Sequence, residues 1–127
     1  MKIFVDANVL IDLIDEKRAF HQQAIDFFQN NLGSLFYTSC DILTTIYYVT
    51  SKTKNPLSDI ENLLKLINII SFSNEEAHKA IELMKTNEKF RDFEDTLQYI
   101  LAKKINADLI VTNDKGFYSE DIKLLSL

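Results

Sequence analysis

The chain has 127 residues, of which 46% are hydrophobic and 26% are charged. This length predicts a single domain over residues 1–127, and the composition excludes wholesale disorder. The formal net charge of −5 argues against a protein that simply coats nucleic acid, although a basic patch or a bound metal can still bring nucleic acid to an acidic protein.

Hydrophobic periodicity predicts strands and helices that alternate along the chain. In chain order these are a strand at residues 2–5, a helix capped by Asn8, a helix at 20–31, a strand at 34–38, a helix at 41–52, a polar turn at 50–56, a helix at 58–67, a strand at 68–72, a helix at 74–85, a helix from 93, a strand at 109–112 and an edge strand at 122–125. Such alternation is typical of an α/β domain with a mainly parallel sheet.

The counts of cysteine, histidine and glycine exclude several kinds of site. With the single cysteine Cys40, no intramolecular disulfide can form, so we expect a reducing, cytoplasmic location. The two histidines cannot complete a zinc cage with one cysteine, and the two glycines cannot supply a phosphate-binding loop. Asp6 and Asp12 interrupt the first apolar run, which therefore predicts neither a signal peptide nor a membrane span.

Three aspartates come at the ends of predicted elements. Asp6 follows the first strand, Asp114 closely follows the strand at 109–112, and Asp95 begins a long helix. Ligands of open parallel sheets bind beyond the carboxyl ends of the strands, so these carboxylates are expected to meet. Mg²⁺ or Mn²⁺ would offset their repulsion, because both ions favour oxygen ligands, and either can assist phosphodiester hydrolysis.

Each of these aspartates also has a structural explanation. Asp6 could cap the first helix, although Asn8 is the better placed cap by sequence. Asp95 lies three residues after Asp92, which is the spacing of a helix-capping pair, and Asp114 precedes a turn-forming Lys-Gly pair. Spacing alone leaves open a receiver-like or other Mg²⁺-binding α/β domain.

Four segments together resemble the PIN domain family. They are VDANVLIDL near the start, LTTIYYV at 43–49, DFEDTLQY at 92–99 and IVTNDKGF at 110–117. The resemblance covers essentially the whole chain and implies a three-layer α/β/α sandwich around a mainly parallel sheet. It also implies a Mg²⁺- or Mn²⁺-dependent endoribonuclease that hydrolyses RNA, of the kind found among VapC-type toxins with a protein antitoxin.

By this resemblance, Asp6, Asp95 and Asp114 are the catalytic and metal-binding acids, and Asn8 and Thr112 support them. The chain departs from the family where many members have a glutamate in the pattern LTEIYY, because it has Thr45 there.

A threonine hydroxyl cannot supply the missing charge, and Asp41, about one helical turn earlier, is a candidate substitute. Gly116 also stands where members often have a further aspartate. The neutral residue Thr45 favours the alternative of a degenerate, non-catalytic PIN domain that binds RNA or protein, whereas the three retained aspartates disfavour it.

Other residues carry weaker expectations. Arg91 and Lys115 neighbour motif acids and are the best candidates for RNA phosphate contacts, although solvated side chains are the ordinary interpretation. His21 and His78 are expected on exposed helix faces. The aromatic-rich helices are compatible with a homodimer but give no clear signature of one.

Overall fold

A computed structural model describes residues 1–52 and 55–127. In this part of the chain, five strands alternate with six α-helices. The strands are β1 Lys2–Val5, β2 Leu35–Ser39, β3 Ile67–Ile70, β4 Leu109–Val111 and β5 Lys123–Leu125. The helices are α1 Ala7–Ile14, α2 His21–Asn30, α3 Leu43–Thr50, α4 Pro56–Leu66, α5 Asn74–Thr86 and α6 Phe93–Lys104, with a 3-10 helix at Cys40–Ile42.

The strands form one parallel sheet in the order β3-β2-β1-β4-β5. Central β1 pairs with β2 on one side and with β4 on the other, so the strand order reverses between β1 and β4. A parallel sheet leaves a crevice at such a reversal, beyond the carboxyl ends of the two strands. This topology brings the residues that follow Val5 close to those that follow Val111.

Helices cover both faces of the sheet. Successive β1 side chains point to opposite faces, so Ile3 and Val5 pack in one core and Phe4 packs in the other. The first core takes apolar side chains from α1 to α4, and the second takes them from α5 and α6. Burial on two sides explains why the strands are almost continuously apolar. The predicted α/β/α sandwich with a parallel sheet is confirmed.

The observed boundaries of the helices differ from the predicted ones at the starts of α1 and α3. Asn8 is not the cap of α1, because the helix begins at Ala7 and the N-cap position belongs to Asp6. The first residues of the helix predicted over 41–52 belong instead to the 3-10 helix Cys40–Ile42, and α3 begins at Leu43. The polar turn predicted over 50–56 includes residues 53 and 54, which lie outside the described residues. None of the described helices has the length and apolarity needed to cross a bilayer.

Candidate active site

Asp6 lies where β1 ends and α1 begins, at the reversal of strand order. Its backbone N–H donates to the carbonyl of Val111 (3.0 Å), which extends the pairing of β1 with β4 by one residue. The side chain is only 6% exposed, and this burial raises the pKa of its carboxyl. The Thr112 hydroxyl opposes that shift by donating to Asp6 Oδ2 (2.8 Å).

Thr112 also connects Asp6 to Asp114. The backbone N–H of Asp114 donates to Thr112 Oγ1 (3.1 Å), and that of Gly116 donates to Asp114 Oδ1 (2.8 Å). The turn aspartate expected from the sequence is therefore present. The Asp114 charge is nevertheless one of the causes that raise the pKa of Asp6, after the larger effect of burial.

Asp95 lies in the first turn of α6 and is the most strongly perturbed acid of this region. Asp92 caps the helix by accepting from the backbone N–H of Asp95 (2.9 Å). The pKa of Asp95 is raised to about 7, first by burial and then by the charges of Asp92, Asp114, Asp6 and Glu94. The three aspartates singled out in the sequence are thus electrostatically coupled.

Two further residues of α6 belong to this region and were missed by the sequence analysis. Burial, followed by the charges of Asp6, Asp41 and Asp92, raises the pKa of Glu94. Gln98 is 2% exposed, and its Nε2 donates to Glu94 Oε1 (3.4 Å). A Gln98 hydrogen bond also lowers the pKa of Asp6. The i, i+4 spacing of these two residues next to Asp95 was the available signal.

The positions expected to support the acids differ in their surroundings. Thr45 is exposed on α3, and its side chain has no hydrogen bond to another described residue. Asp41 is also exposed and accepts a hydrogen bond from Ser39, but its charge reaches Glu94. Asn8 lies in the first turn of α1 and lines an open cleft together with Asp114.

That cleft, called here the α1–α2 cleft, has a volume of about 670 Å³. Arg91 and Lys115 are exposed and are not among the residues that line it. Its basic residues are instead Lys17 and Arg18, from the loop between α1 and α2. This loop contains no sequence motif that predicts a functional site.

The acids have the donor chemistry of a magnesium or manganese site. Among the described residues, no three His, Cys, Asp or Glu side chains stand close enough together to hold a metal ion by themselves. Asp6, Asp95 and Asp114 nevertheless offer only oxygen donors, and the raised pKa values of Asp6 and Asp95 reflect burial and negative charge. Mg²⁺ keeps several of its waters in protein sites, so the set fits an ion held partly through water.

Comparison with known proteins identifies the family. The model of the PIN domain family matches residues 3–122. The chain belongs to the PIN domain family. This PIN domain is 47% identical to Ribonuclease VapC1 of Aquifex aeolicus (strain VF5), over 98% of the chain and 90% of the relative.

Solved structures share the fold of this PIN domain. A toxin-antitoxin complex from Klebsiella pneumoniae matches with a TM-score of 0.72 and 18% identity, over 97% of this chain and 95% of the other. VapBC2 from Rickettsia felis, bound to a DNA fragment from its promoter, matches with a TM-score of 0.70 and 21% identity, over 99% and 98% of the two chains. At these identities the likeness concerns the fold.

Proposed function

We propose that the protein is a Mg²⁺- or Mn²⁺-dependent endoribonuclease that acts as the toxin of a toxin–antitoxin pair. The observation that carries the proposal is the electrostatic coupling of Asp6, Asp95 and Asp114 at one edge of the sheet. It is supported by the high identity to a protein named Ribonuclease VapC1 over nearly the whole chain. A single domain over residues 1–127 is part of the proposal.

In the proposed mechanism, Asp6, Asp95 and Asp114 would hold the ion directly or through water. When bound, the ion supplies the Lewis acidity that polarises the scissile phosphate and eases deprotonation of the attacking water. Thr112 orients Asp6 through its hydroxyl, and Asn8 supports the same edge of the site from the first turn of α1. Burial of Asp6 strengthens its interaction with a cation, because the local dielectric is low.

The proposed partner is an antitoxin that inserts Arg or Lys side chains among the three acids. A cationic side chain would offset the same charge repulsion that a metal ion offsets, and guanidinium groups pair well with carboxylates. The solved complexes that share the fold include toxin–antitoxin assemblies, which supports this choice of partner. Arrested growth on overexpression, relieved by a co-expressed small neighbouring gene product, is the expected result.

The catalytic proposal is tested by Asp6→Asn and Asp95→Asn in an RNA cleavage assay with Mn²⁺ or with EDTA. We expect cleavage by the wild type in Mn²⁺ only, and loss of cleavage in both variants while circular dichroism shows a retained fold. Asp26→Asn is the matched control, because Asp26 is an exposed aspartate on α2. Wild-type rates in both variants would contradict the assignment of these acids.

One alternative function has an observation in its favour. Thr45 is neutral and exposed, which favours a degenerate PIN domain that binds RNA or protein without cleavage. Against it, Glu94 adds a carboxylate that is coupled to Asp6. Calorimetric titration of Mn²⁺ separates the two functions, since the degenerate domain is expected to bind RNA without measurable affinity for the ion.

A further inference from the structure

The α1–α2 cleft joins the acidic edge of the sheet to a basic and aromatic loop. Asn8 and Asp114 line it on the side of the acids, and Lys17, Arg18 and Phe20 line it on the side of the loop. A substrate strand at the acids would therefore have an adjoining space of about 670 Å³. That volume is within the range of pockets that hold small organic ligands.

The wall of the cleft is held in place by partly buried polar contacts. Asp12 is 5% exposed, and its Oδ1 accepts from Arg18 Nε at 2.9 Å. The backbone carbonyl of Asp12 accepts from Nδ1 of His21 at 2.8 Å, so His21 is half-buried rather than exposed as expected. Because these contacts tie the second half of the loop and the start of α2 to α1, a ligand would meet a largely preformed surface with little ordering cost.

Phe20 and Lys17 are the side chains that this surface offers to a ligand. Phe20 is 43% exposed and occupies the N-cap position of α2, where its side chain makes no capping hydrogen bond. Exposed aromatic rings provide stacking faces for bases. Lys17 is exposed and has no ion-pair partner among the described residues, whereas the charge of Arg18 is matched by Asp12.

We propose that the α1–α2 cleft binds the nucleotide next to the scissile phosphate of a single-stranded RNA, with the base stacked on Phe20 and a phosphate at Lys17. This inference rests on the proposed ribonuclease function. A single strand is favoured over a duplex, because only an unpaired base can present its face to an aromatic side chain. The Asp12–Arg18 ion pair holds the loop and does not itself contact the RNA.

The test measures binding of a fluorescein-labelled 12-nucleotide single-stranded RNA by fluorescence anisotropy, in the full chain carrying Asp6→Asn to silence cleavage. Phe20→Leu, which keeps an apolar cover without a ring, is expected to weaken binding at least about fivefold, whereas Phe20→Tyr retains it. Lys17→Gln is expected to reduce the slope of log affinity against log salt by about 0.7. Lys85→Gln, at an exposed position on α5, is the matched control with an unchanged slope.

The outcomes separate this inference from the function on which it rests. If the wild type cleaves RNA but Phe20→Leu binds as tightly as its parent, the stacking site is wrong and the ribonuclease proposal stands. Equal salt slopes for Lys17→Gln and Lys85→Gln would likewise show that Lys17 does not contact an RNA phosphate. If the wild type neither cleaves nor binds RNA, both proposals fail. Loss of antitoxin binding with unchanged RNA binding in Phe20→Leu would overturn the RNA subsite in favour of a protein contact.

Discussion

Thr112 uses one hydroxyl to connect two acids that lie far apart in the sequence. The hydroxyl donates to Asp6 Oδ2 at 2.8 Å and accepts from the backbone N–H of Asp114 at 3.1 Å. Both contacts depend on the pairing of β1 with β4, which sets Thr112 beside Asp6 at the end of the two strands. Thr112 therefore fixes the spacing between the acids without itself carrying charge.

Thr112→Val tests this connection, because valine keeps the shape of threonine and removes the hydroxyl. Buried Asp6 loses a donor that favours its charged form, so its pKa is expected to rise further. By analogy with residues that orient metal ligands, RNA cleavage should fall about 10- to 100-fold, and the pH at which cleavage reaches half its maximum should rise. Thr112→Ser should restore both properties. A Thr112→Val variant that cleaves RNA with the rate and pH profile of the wild type would show that the hydroxyl is dispensable.

Asp95 gives a prediction for stability without metal. Its folded-state pKa of about 7 lies above the ordinary value of 3.8, so the ionised carboxyl destabilises the fold increasingly as the pH rises from about 4 to 7. Asp95→Asn should therefore be more stable than the wild type at pH 8 in EDTA, by about 1 kcal/mol once screening of this half-exposed group is allowed for. The difference should vanish near pH 4.

Urea denaturation at pH 4.5 and pH 8 measures this difference, and Asp26→Asn serves as the exposed control on α2. A destabilised Asp95→Asn at both values would mean that the favourable interaction of Asp95 with the N-terminus of α6 outweighs the repulsion.

At the scale of the elements, α5 and α6 contact each other on one face of the sheet, and an ion pair links them. Glu76 in the first turn of α5 pairs with Lys104 in the last turn of α6, with Oε1 and Nζ 2.7 Å apart. Each charge also suits the dipole of its own helix. Lys104 additionally donates to the carbonyl of Ser71 (3.2 Å), so one side chain ties α6 to the segment between β3 and α5.

Glu76→Gln is predicted to destabilise the protein in a pH-dependent way. The hydrogen bond from Lys104 holds the pKa of Glu76 below its ordinary value of 4.5, so the stabilisation is present above about pH 4.5 and is lost as the pH falls through the folded-state pKa. The free energy of unfolding should therefore differ from the wild type at pH 7 and converge with it in acid. Glu75→Gln is the control, because Glu75 is exposed and pairs with Lys79 one turn away.

For the whole molecule, the parallel sheet and the layering could be predicted, because apolar periodicity alternates between strand and helix along the chain. Finer geometry could not be predicted, since it depends on how elements meet in space. Asp6 rather than Asn8 holds the N-cap position, a shift of two residues that propensity alone does not resolve. Glu94 has the position of an ordinary first-turn acid, and only the placement of α6 in the fold brings its charge near Asp6.

The candidate site was likewise predicted in part. Asp6, Asp95 and Asp114 were singled out together, and the structure couples them electrostatically, while their role as metal ligands stays a prediction. The α1–α2 cleft was missed because its wall depends on the pairing of buried Asp12 with partly exposed Arg18. A charged residue in an apolar run gives no sign in the sequence of which partner it will meet.

The position of β1 at the centre of the sheet has a consequence for the newly made polypeptide. Asp6 is synthesised 106 residues before its hydroxyl donor Thr112. The ribosome must therefore release all the residues between β1 and β4 before these strands can pair and the acids can assemble. For the proposed toxin, this interval would leave time for the antitoxin to be present before the first competent site exists.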